Sequence, residues 1–478
     1  MFSHVIKVYR NCGLKPAIKA FLHDMKAGTL KRKQRIFYQC SSFSAKQREN
    51  TVVLGYRIVK TDSVRLHMDM MCELEKIIKE KNPAVIYTDE LRCGELLYKP
   101  DFAPDNLDSH NYIGNCIVVK ENLIDEQAQK LADASSLWEF NKYICSKCKA
   151  YEIAHVSRAL FEDDKKADDG GIKALESDAL HGSQNADMVN KPLVSVIIPN
   201  CEHVVDLRQC VESLIYRDDY KNIEIIIVEN NSKSDEIFAY YDELIREHKD
   251  IVKVVKWDGI FNYSAINNYG AGFAGGELLL LLNNDTKLIA PDSIRSMVQY
   301  AVRDNTGAVG ACLLYGDKTI QHAGVIVGIG PDRTAVHPNS GVPFIEDGYR
   351  DSIHHVQNYL AVTGACLMIK KSLFDRVNGL DEKFAVAYND VDMCLRLRTM
   401  GMLNVYVPQA LFFHYESKSR GYDNKGERHE RFLRESEMFR ERWQHIIEDG
   451  DPYYNVMLSK DVPWKVDIVM KGGMNNGF

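Results

Sequence analysis

The feature that most constrains the fold is a regular alternation of short, mostly apolar segments with helical ones in the part of the chain after residue 192. Residues 194–198, 223–228, 252–255 and 278–282 are predicted as strands, and residues 207–214, 235–247 and 264–274 as helices. Apolar strands that alternate with helices indicate parallel βαβ units, in which helices cover both faces of the sheet. The predicted fold class is therefore α/β, with ligands bound beyond the carboxyl ends of the strands.

Polar clusters follow three of these strands, at residues 229–232, 258–259 and 283–285. Asp285 comes directly after a buried strand, where a carboxylate is well placed to bind a hard cation. Magnesium and manganese prefer oxygen ligands and commonly take one or two protein carboxylates together with substrate phosphates. Asn and Asp also favour turns, so residues 283–285 are equally well explained as a strand-end turn.

A second constellation is a predicted helix that opens near Asp390 and ends near Gly401. On the residues alone, the simpler interpretation is that Asp390 caps the helix, with Asp392 in a first turn that favours acids. The other interpretation is that Asp390 is a general base at the rim of a cleft.

A third constellation joins His414, a candidate metal ligand, to Lys418 and Arg420, which suit a diphosphate. Taken alone, a histidine after an apolar segment is more often packed than functional, and His322 is open to the same two interpretations. The glycines at 324, 328 and 330 lack the spacing of a dinucleotide-binding loop.

Together these segments resemble the family 2 glycosyltransferases of the GT-A fold, in particular the rhamnosyltransferase-like enzymes of bacterial polysaccharide and O-antigen assembly. Eight blocks occur in the order of that family over about 230 residues. They are PLVSVIIP (192–199), EIIIVENNS (224–232), DGIFNYSAINN (258–268), GELLLLLNNDT (276–286), TIQHAG (319–324), VTGACL (362–367), YNDVD (388–392) and HYESKSRG (414–421).

The resemblance implies an inverting transfer of a sugar from a dTDP- or UDP-linked donor to a growing cell-surface polysaccharide or lipid-linked glycan. Asp390 matches the general base, and Asp285 and His414 match the residues that hold Mg²⁺ or Mn²⁺. The residues implied on the donor side are Pro199, Glu202, Glu229, Asn231, Asp258, Asn268, Asn283, Asn284, Lys418 and Arg420. Those implied on the acceptor side are His322, Thr363, Gly364 and Asp392.

The chain departs from the family pattern at several of these positions. Glu229 stands in place of the usual Asp, Asn283 replaces the first acid of the D-x-D motif, and Asn389 replaces a frequent Glu. With one carboxylate left at the D-x-D position, we expect weaker metal binding. The alternative function is therefore a catalytically weak or inactive sugar-nucleotide-binding subunit. A nicotinamide oxidoreductase is disfavoured because no G-x-G-x-x-G follows Ile198.

The N-terminal half resembles a truncated, non-catalytic GT-A-like unit. Asp89 and Glu90 end a predicted strand at 84–87, but no opening strand precedes it and no equivalent of the 388–392 motif follows. In this half we also predict strands at 51–55 and 113–119 and helices at 63–81 and 135–149. The expected organisation is a basic helical segment (1–48), this unit (49–160), a linker (161–191), the catalytic domain (192–451) and a C-terminal tail (452–478).

Composition and charge limit the classes of partner that the chain is expected to bind. The formal charge of −7 argues against nucleic-acid binding. Residues 1–48, however, hold 11 Lys or Arg against the single acid Asp24, so they either contact an anionic membrane surface or form a solvated helix face. No run of 18 apolar residues and no signal peptide is evident, and the one C-x-x-C, at Cys145 and Cys148, has no partner pair for zinc. We expect a cytoplasmic protein, peripheral at the inner face of the plasma membrane.

Overall fold

The structure is a computed structural model that describes residues 52–165, 191–415 and 426–466. The chain divides into two compact units, the first from Met1–Lys99 and Ile113–Asp169 and the second from Pro100–Tyr112 and Gly170–Phe478. The predicted basic segment at 1–48 and most of the predicted linker lie outside the described residues. No helix in the described part is long and apolar enough to cross a membrane.

The first unit is built on a seven-stranded sheet. Its strands are β1 (Val52–Val53), β2 (Tyr56–Lys60), β3 (Val64–Leu66), β4 (Val85–Arg92), β5 (Glu95–Leu97), β6 (Cys116–Lys120) and β7 (Ile153–Asp163). Its helices are α1 (Met70–Lys81), α3 (Glu126–Ala132) and α4 (Trp138–Ser146), while α2 (Pro104–Ser109) belongs to the second unit. The strand order is β1-β2-β6-β4-β7-β3, and β5 pairs with β4.

The structure corrects two predictions in this unit. The helix predicted at 63–81 begins only at Met70, because residues 64–66 form β3 and pair antiparallel with β7. Strand β7 itself was not predicted, and it runs to Asp163, inside the predicted linker. Both errors have one cause: the partner of Val64 is Asp163, about a hundred residues away, and local periodicity carries no trace of it.

The second unit begins with the predicted alternation of strands and helices. The elements are β8 (Val194–Asn200), α5 (Val204–Glu212), β9 (Ile223–Glu229), α6 (Asp235–His248), β10 (Val252–Lys256), α7 (Tyr263–Ala271) and β11 (Leu278–Leu282). The strands β10-β9-β8-β11 are parallel neighbours, as predicted. All five leucines of β11 are buried, as expected for a strand covered on both faces. Full burial stabilises each by roughly 1.5–3 kcal/mol.

The same sheet continues with strands from later in the chain. They are β12 (Thr286–Leu288), β13 (Thr306–Leu314), β14 (Ile320–His322), β17 (Gln357–Tyr359), β18 (Cys366–Lys370) and β19 (Leu403–His414), and a separate pair forms from β15 (Ile326–Val327) and β16 (Ala335–Val336). The order is β10-β9-β8-β11-β18-β13-β19-β12, with β14 on β13 and β17 on β19. Strand β18 is antiparallel to both neighbours. The α/β fold class is confirmed, and the sheet is parallel in its first half and mixed in its second.

The remaining helices are α8 (Ser293–Ala301), α9 (Lys371–Arg376), α10 (Asn389–Thr399), α11 (Gly426–Arg442) and α12 (Gln444–Asp449). Helix α10 begins at Asn389, and its N-cap is Tyr388 in the left-handed conformation (φ 63°). The interpretation of Asp390 as the N-cap is therefore wrong: Asp390 lies inside the first turn, where its carboxylate is available for other contacts.

Two segments complete the second unit from distant parts of the chain. The segment Pro100–Tyr112 contains α2, which packs on β17: Asn358 donates from its side chain to Asp105 at 2.6 Å. At the other end, residues 452–466, predicted as part of a tail, pack against the domain. Trp464 stacks on Tyr349 at 5.0 Å and donates to Asn339 at 2.8 Å.

Candidate active site

The carboxyl ends of β8, β9 and β11 are joined by a chain of hydrogen-bonded polar side chains, of which all but Asn284 are buried. Asn284 donates to the side-chain oxygen of Asn200 at 2.6 Å, and the amide of Asn200 donates to the hydroxyl of Tyr241 at 2.8 Å. Tyr241 in turn donates to Glu229 at 2.6 Å. Asn200 lies within the run from Pro199 to Glu202 that the resemblance implies on the donor side. Tyr241 was not predicted as a site residue.

Two carboxylates on this edge, those of Glu229 and Glu202, accept hydrogen bonds from the turn that follows β9. Glu229 is buried and accepts from the backbone N–H and the hydroxyl of Ser232, at 2.5 and 2.7 Å. Glu202 accepts from the hydroxyl of Ser234 and from the backbone N–H groups of Lys233 and Ser234, and these bonds lower its pKa. Both acids therefore fix the loops that follow β8 and β9. Pro199 lies in β8 opposite Val228.

Other predicted donor-side residues lie at the ends of β9 and β10 or farther along the chain. Asn231 donates to the carbonyl of Gly259 at 2.9 Å, which ties the turn after β9 to the loop after β10. In that loop the side chain of Asp258 is 75% exposed and pairs with Lys256 at 2.7 Å. Asn268 instead makes two hydrogen bonds to the backbone of Leu380, so its contacts are with the segment after α9 and not with the ends of β9 and β10.

The β12–β19 pairing brings the two predicted metal ligands together. Because Thr286 lies opposite His414 in this antiparallel pair, the imidazole reaches Asp285, with Nε2 3.1 Å from Oδ1. Both side chains are largely buried, and the amide of Asn283 lies 3.2 Å from the same imidazole nitrogen. Among the described residues, no group of three or more His, Cys, Asp or Glu could hold a metal unaided.

The candidate base is held against the backbone of the turn before β18. Asp390 accepts the N–H of Gly364 at 2.7 Å through Oδ2 and the N–H of Val391 at 2.8 Å through Oδ1. The hydroxyl of Tyr263, which the sequence did not single out, donates to the carbonyl of Gly364 at 2.8 Å. A Cβ added at Gly364 would lie 3.3 Å from the Cβ of Asp390, so a glycine lets the carboxylate approach closely.

The turn at residues 363–365 connects the predicted acceptor side with the predicted phosphate end. At Gly364 the turn holds Asp390, and one residue later the carbonyl of Ala365 accepts the N–H of Asn283 at 3.0 Å. At the preceding residue, the N–H of Thr363 points at Nε2 of His322, 3.5 Å away. Asn283 and Asp390, from two of the predicted constellations, and the candidate residue His322 therefore meet at three consecutive residues.

His322 is fully buried beside a second histidine that the sequence did not single out. Its Nδ1 lies 3.1 Å from Nδ1 of His337, and its Nε2 lies 3.4 Å from the N–H of Gly324. Burial lowers the pKa of His322 well below its usual value, and the nearby His337 and His414 lower it further. A neutral ring whose Nε2 accepts must carry its proton on Nδ1, so His322 donates to His337.

Asp392, predicted on the acceptor side, is fully buried and surrounded by donors. It accepts from Arg396 at 2.8 Å, from Arg442 at 2.8 Å and from the indole N–H of Trp443 at 3.1 Å. These contacts join α10 to the end of α11. Lys418 and Arg420, predicted to contact the diphosphate, lie outside the described residues.

In the first unit, Asp89 and Glu90 of β4 contact basic side chains of the same unit. Asp89 lies 3.0 Å from Nε2 of His155 and accepts the N–H of Lys99 at 2.7 Å. The Lys99 ammonium pairs with Glu90 at 3.0 Å, and all four side chains are at most 3% exposed. This arrangement leaves both acids enclosed by groups of their own unit, and the absence of catalysis in this unit stays a prediction.

Residues 195–350 match the family model described as Glycosyl transferase family 2. The chain is 33% identical over 414 residues to an uncharacterized protein, y4gI, of Sinorhizobium fredii, covering 78% of this chain and 45% of that protein. It is 30% identical over 412 residues to the O-antigen biosynthesis protein RfbC of Myxococcus xanthus, covering 79% of this chain and 31% of that protein.

The chain thus spans less than half the length of either relative. Among solved structures, it is similar to a mannosyltransferase from Pyrobaculum calidifontis in complex with GDP-Man and Mn²⁺. That match has 16% sequence identity and a TM-score of 0.40, and it covers 54% of this chain and 69% of the other.

Proposed function

We propose, from the family 2 glycosyltransferase domain that this chain carries in residues 195–350, that the protein transfers a sugar from a nucleotide-sugar to a glycan acceptor. The observation that carries the proposal is the turn at 363–365. Its successive residues contact the candidate base Asp390 and the phosphate-end residue Asn283. A single rigid turn can therefore set the distance between the acceptor hydroxyl and the leaving group, as an in-line displacement needs.

In the proposed reaction Asp390 is the general base of an inverting transfer. The acceptor hydroxyl loses its proton to the carboxylate while its oxygen forms a bond to the anomeric carbon. The bond from that carbon to the diphosphate breaks at the same time, and the nucleoside diphosphate leaves with the electron pair. The carboxylate suits this role because Gly364 and Val391 fix its orientation with one hydrogen bond to each oxygen, which leaves further lone pairs for the hydroxyl.

Asp285 and His414 are the residues that would hold a divalent cation. Their ligand atoms lie 3.1 Å apart, which is compatible with both binding one ion at about 2.1 Å. When bound, the ion would stabilise the charge that develops on the leaving diphosphate. With one carboxylate and one imidazole, the pair favours Mn²⁺ over Mg²⁺, which prefers oxygen ligands. The remaining ligands would come from the diphosphate and water.

The acceptor we propose is a growing cell-surface polysaccharide or lipid-linked glycan. Support comes from the name of the M. xanthus relative, which refers to O-antigen biosynthesis, and from the rhamnosyltransferase-like blocks of the sequence. For the donor we propose a dTDP- or UDP-linked sugar by analogy with that family. The basic residues 1–48 would let a cytoplasmic protein approach the anionic inner face of the plasma membrane.

The substitution Asp390→Asn tests the base. Asn keeps the shape and, through its one oxygen, the contact to Gly364, although it gives up the contact to Val391. Because it cannot take a proton, transfer should fall by about 100-fold or more while donor binding persists. A thermal-shift panel of UDP- and dTDP-sugars with Mn²⁺ first identifies the donor, since a tight ligand raises the melting temperature. Transfer is then measured by release of the nucleoside diphosphate. Wild-type turnover in the variant would contradict the assignment of the base.

A second candidate function is a sugar-nucleotide-binding subunit without transferase activity. The observation in its favour is that Asn283, which occupies the first D-x-D position, offers an amide to His414 where the family has a carboxylate. Donor binding by the wild type, with neither transfer nor donor hydrolysis in the presence or absence of Mn²⁺, would favour this candidate.

A further inference from the structure

Helix α11 carries a buried acid, Glu435, that accepts hydrogen bonds from the segment preceding α10. The carboxylate of Glu435 is 3% exposed, and it accepts the N–H of Ala385 at 3.1 Å and the N–H of Ala387 at 2.6 Å. Both N–H groups lie just before α10, the helix whose first turn contains Asp390. Since burying a carboxylate is costly unless hydrogen bonds compensate, this one is best explained by what it holds.

The residue between that segment and α10 is held by the same helix. Tyr388 has the left-handed φ of 63°, which costs a residue with a Cβ roughly 1–2 kcal/mol. Its ring stacks on Phe439 of α11 at 4.9 Å, and its hydroxyl lies 3.1 Å from that of Thr334 and 3.5 Å from that of Ser436. The surrounding contacts therefore sustain a backbone conformation that the residue itself disfavours.

The far side of the same turn is fixed at the end of α11. Asp392 accepts from Arg442, the last residue of the helix, and from Trp443, which follows it. The end of the helix thus holds residue 392, while Glu435 holds residues 385 and 387. Asp390 lies between these two anchors.

We propose that Glu435 is a positioning residue for the reaction: it fixes the segment before α10 so that the carboxylate of Asp390 meets the N–H of Gly364. The proposal rests on the proposed function, because it gives Asp390 the role of base. Glu435 lies on a different helix from Asp390, and it acts through two backbone N–H groups.

The test compares Glu435→Gln with Glu437→Gln in the full chain. Glu437 is exposed on the same helix and serves as the matched control. In Glu435→Gln, an NH₂ group replaces one carboxylate oxygen and faces a backbone N–H, so one of the two hydrogen bonds is lost. The amide hydrogens of residues 384–390 should therefore exchange faster. Because a displacement of about 1 Å can cost a factor of roughly 100, kcat should fall about 10- to 100-fold. The Kd of the donor identified by the thermal-shift panel should stay within about twofold, because the residues predicted to bind it lie on other elements.

If Glu435→Gln does not fold, Glu435→Asp takes its place. The shorter side chain keeps the charge but cannot reach both N–H groups at their present distances, so the same changes should be seen at smaller size. Wild-type exchange and kcat in the folded variant, alongside an inactive Asp390→Asn, would overturn the role of Glu435 and leave the proposed function standing. If the wild type transfers no sugar, the proposed function fails, and unchanged exchange of residues 384–390 would overturn the positioning contact as well.

Discussion

Two aspartates of the first turn of α10 show how differently the same side chain is used. Asp390 is partly exposed and contacts one loop backbone N–H, that of Gly364, besides the N–H of its own neighbour. Asp392, two residues on, is fully buried and balanced by two arginines and an indole. The sequence predicted both as site residues because both belong to the 388–392 block. The surroundings of Asp390 leave its carboxylate able to accept a further hydrogen bond. The carboxylate of Asp392 is instead used to join two helices.

Asp392→Asn should therefore act on stability. The substitution removes the charge that pairs with Arg396 and Arg442, while Arg442 keeps Asp381 as a second partner. Because both arginines are partly exposed, we expect a cost of about 2 kcal/mol, below that of a fully buried pair. The free energy of unfolding is measured by urea denaturation. Asp390→Asn is the control, and we expect it to cost less than about 1 kcal/mol. Equal stabilities for the two variants would contradict this division of roles.

At the scale of elements, the pairing of β12 with β19 creates the candidate metal site. The two ligands are separated by 129 positions in sequence and become neighbours only because Thr286 and His414 share a register position. Asp285 is placed by the end of β11 and His414 by the end of β19. Any slip of this register by one residue would turn the imidazole to the other face of the sheet.

Removing either ligand should weaken metal binding. We expect Asp285→Asn and His414→Ala to raise the Kd for Mn²⁺, measured by electron paramagnetic resonance with UDP present, by about 10-fold or more. His248→Ala, at the end of α6, is the matched control and should bind Mn²⁺ like the wild type. Wild-type affinity in His414→Ala would remove this residue from the proposed site, and transfer that survives EDTA would show that the reaction needs no metal.

The parallel half of the sheet could be predicted from sequence because each strand there is a buried apolar run bounded by a helix. Strand Leu278–Leu282 was predicted at its observed bounds, and the ends of the others differ by one or two residues. The mixed half could not be predicted, since β18 lies between β11 and β13 although about 80 residues follow β11 before it begins. Such pairings are set by packing between distant segments, which local periodicity does not encode.

The residues of the candidate site also divide into those that the sequence predicts and those that it does not. Asp285, Asp390 and His414 could be predicted as candidates because they follow strands or open a helix in blocks that resemble the family. His337 and Glu435 were missed, since each belongs to the site only through a contact with a residue of another element. Charged residues surround Glu435 in sequence, but Phe432 and Phe439 lie three residues before it and four after it, on the same helix face. That spacing is the one local signal that this face of the helix is buried.

At the scale of the whole molecule, the second unit includes a segment from the N-terminal half of the chain. Helix α2 supplies Asp105, which is buried and pairs with Arg303 at 2.8 Å. Its neighbour Asn106 accepts from the N–H of Asn358 and contacts the side chain of Gln357. The unit predicted to begin at residue 192 therefore cannot be complete without residues 100–112.

Asp105→Ala should lower the stability of the second unit by about 2–3 kcal/mol, because it leaves Arg303 and Asn358 without their acceptor. Asp108→Ala, on the exposed side of the same helix, is the control and should change the free energy of unfolding by less than about 0.5 kcal/mol. A chain limited to residues 191–478 should be less stable still. If that chain unfolds at the same urea concentration as the full chain, α2 is dispensable.

This arrangement also bears on how the protein is made. Asn106 and its partner Gln357 are 251 residues apart, so at about 5–20 residues per second the ribosome releases α2 roughly 12–50 s before the strand it packs on. During that interval the helix has no partner strand. Of the three residues that the helix will bury, Asp105 and Asn106 are polar and stay hydrated, and Leu107 is the apolar one left in water until then. The two polar residues therefore limit the apolar surface that α2 exposes during synthesis.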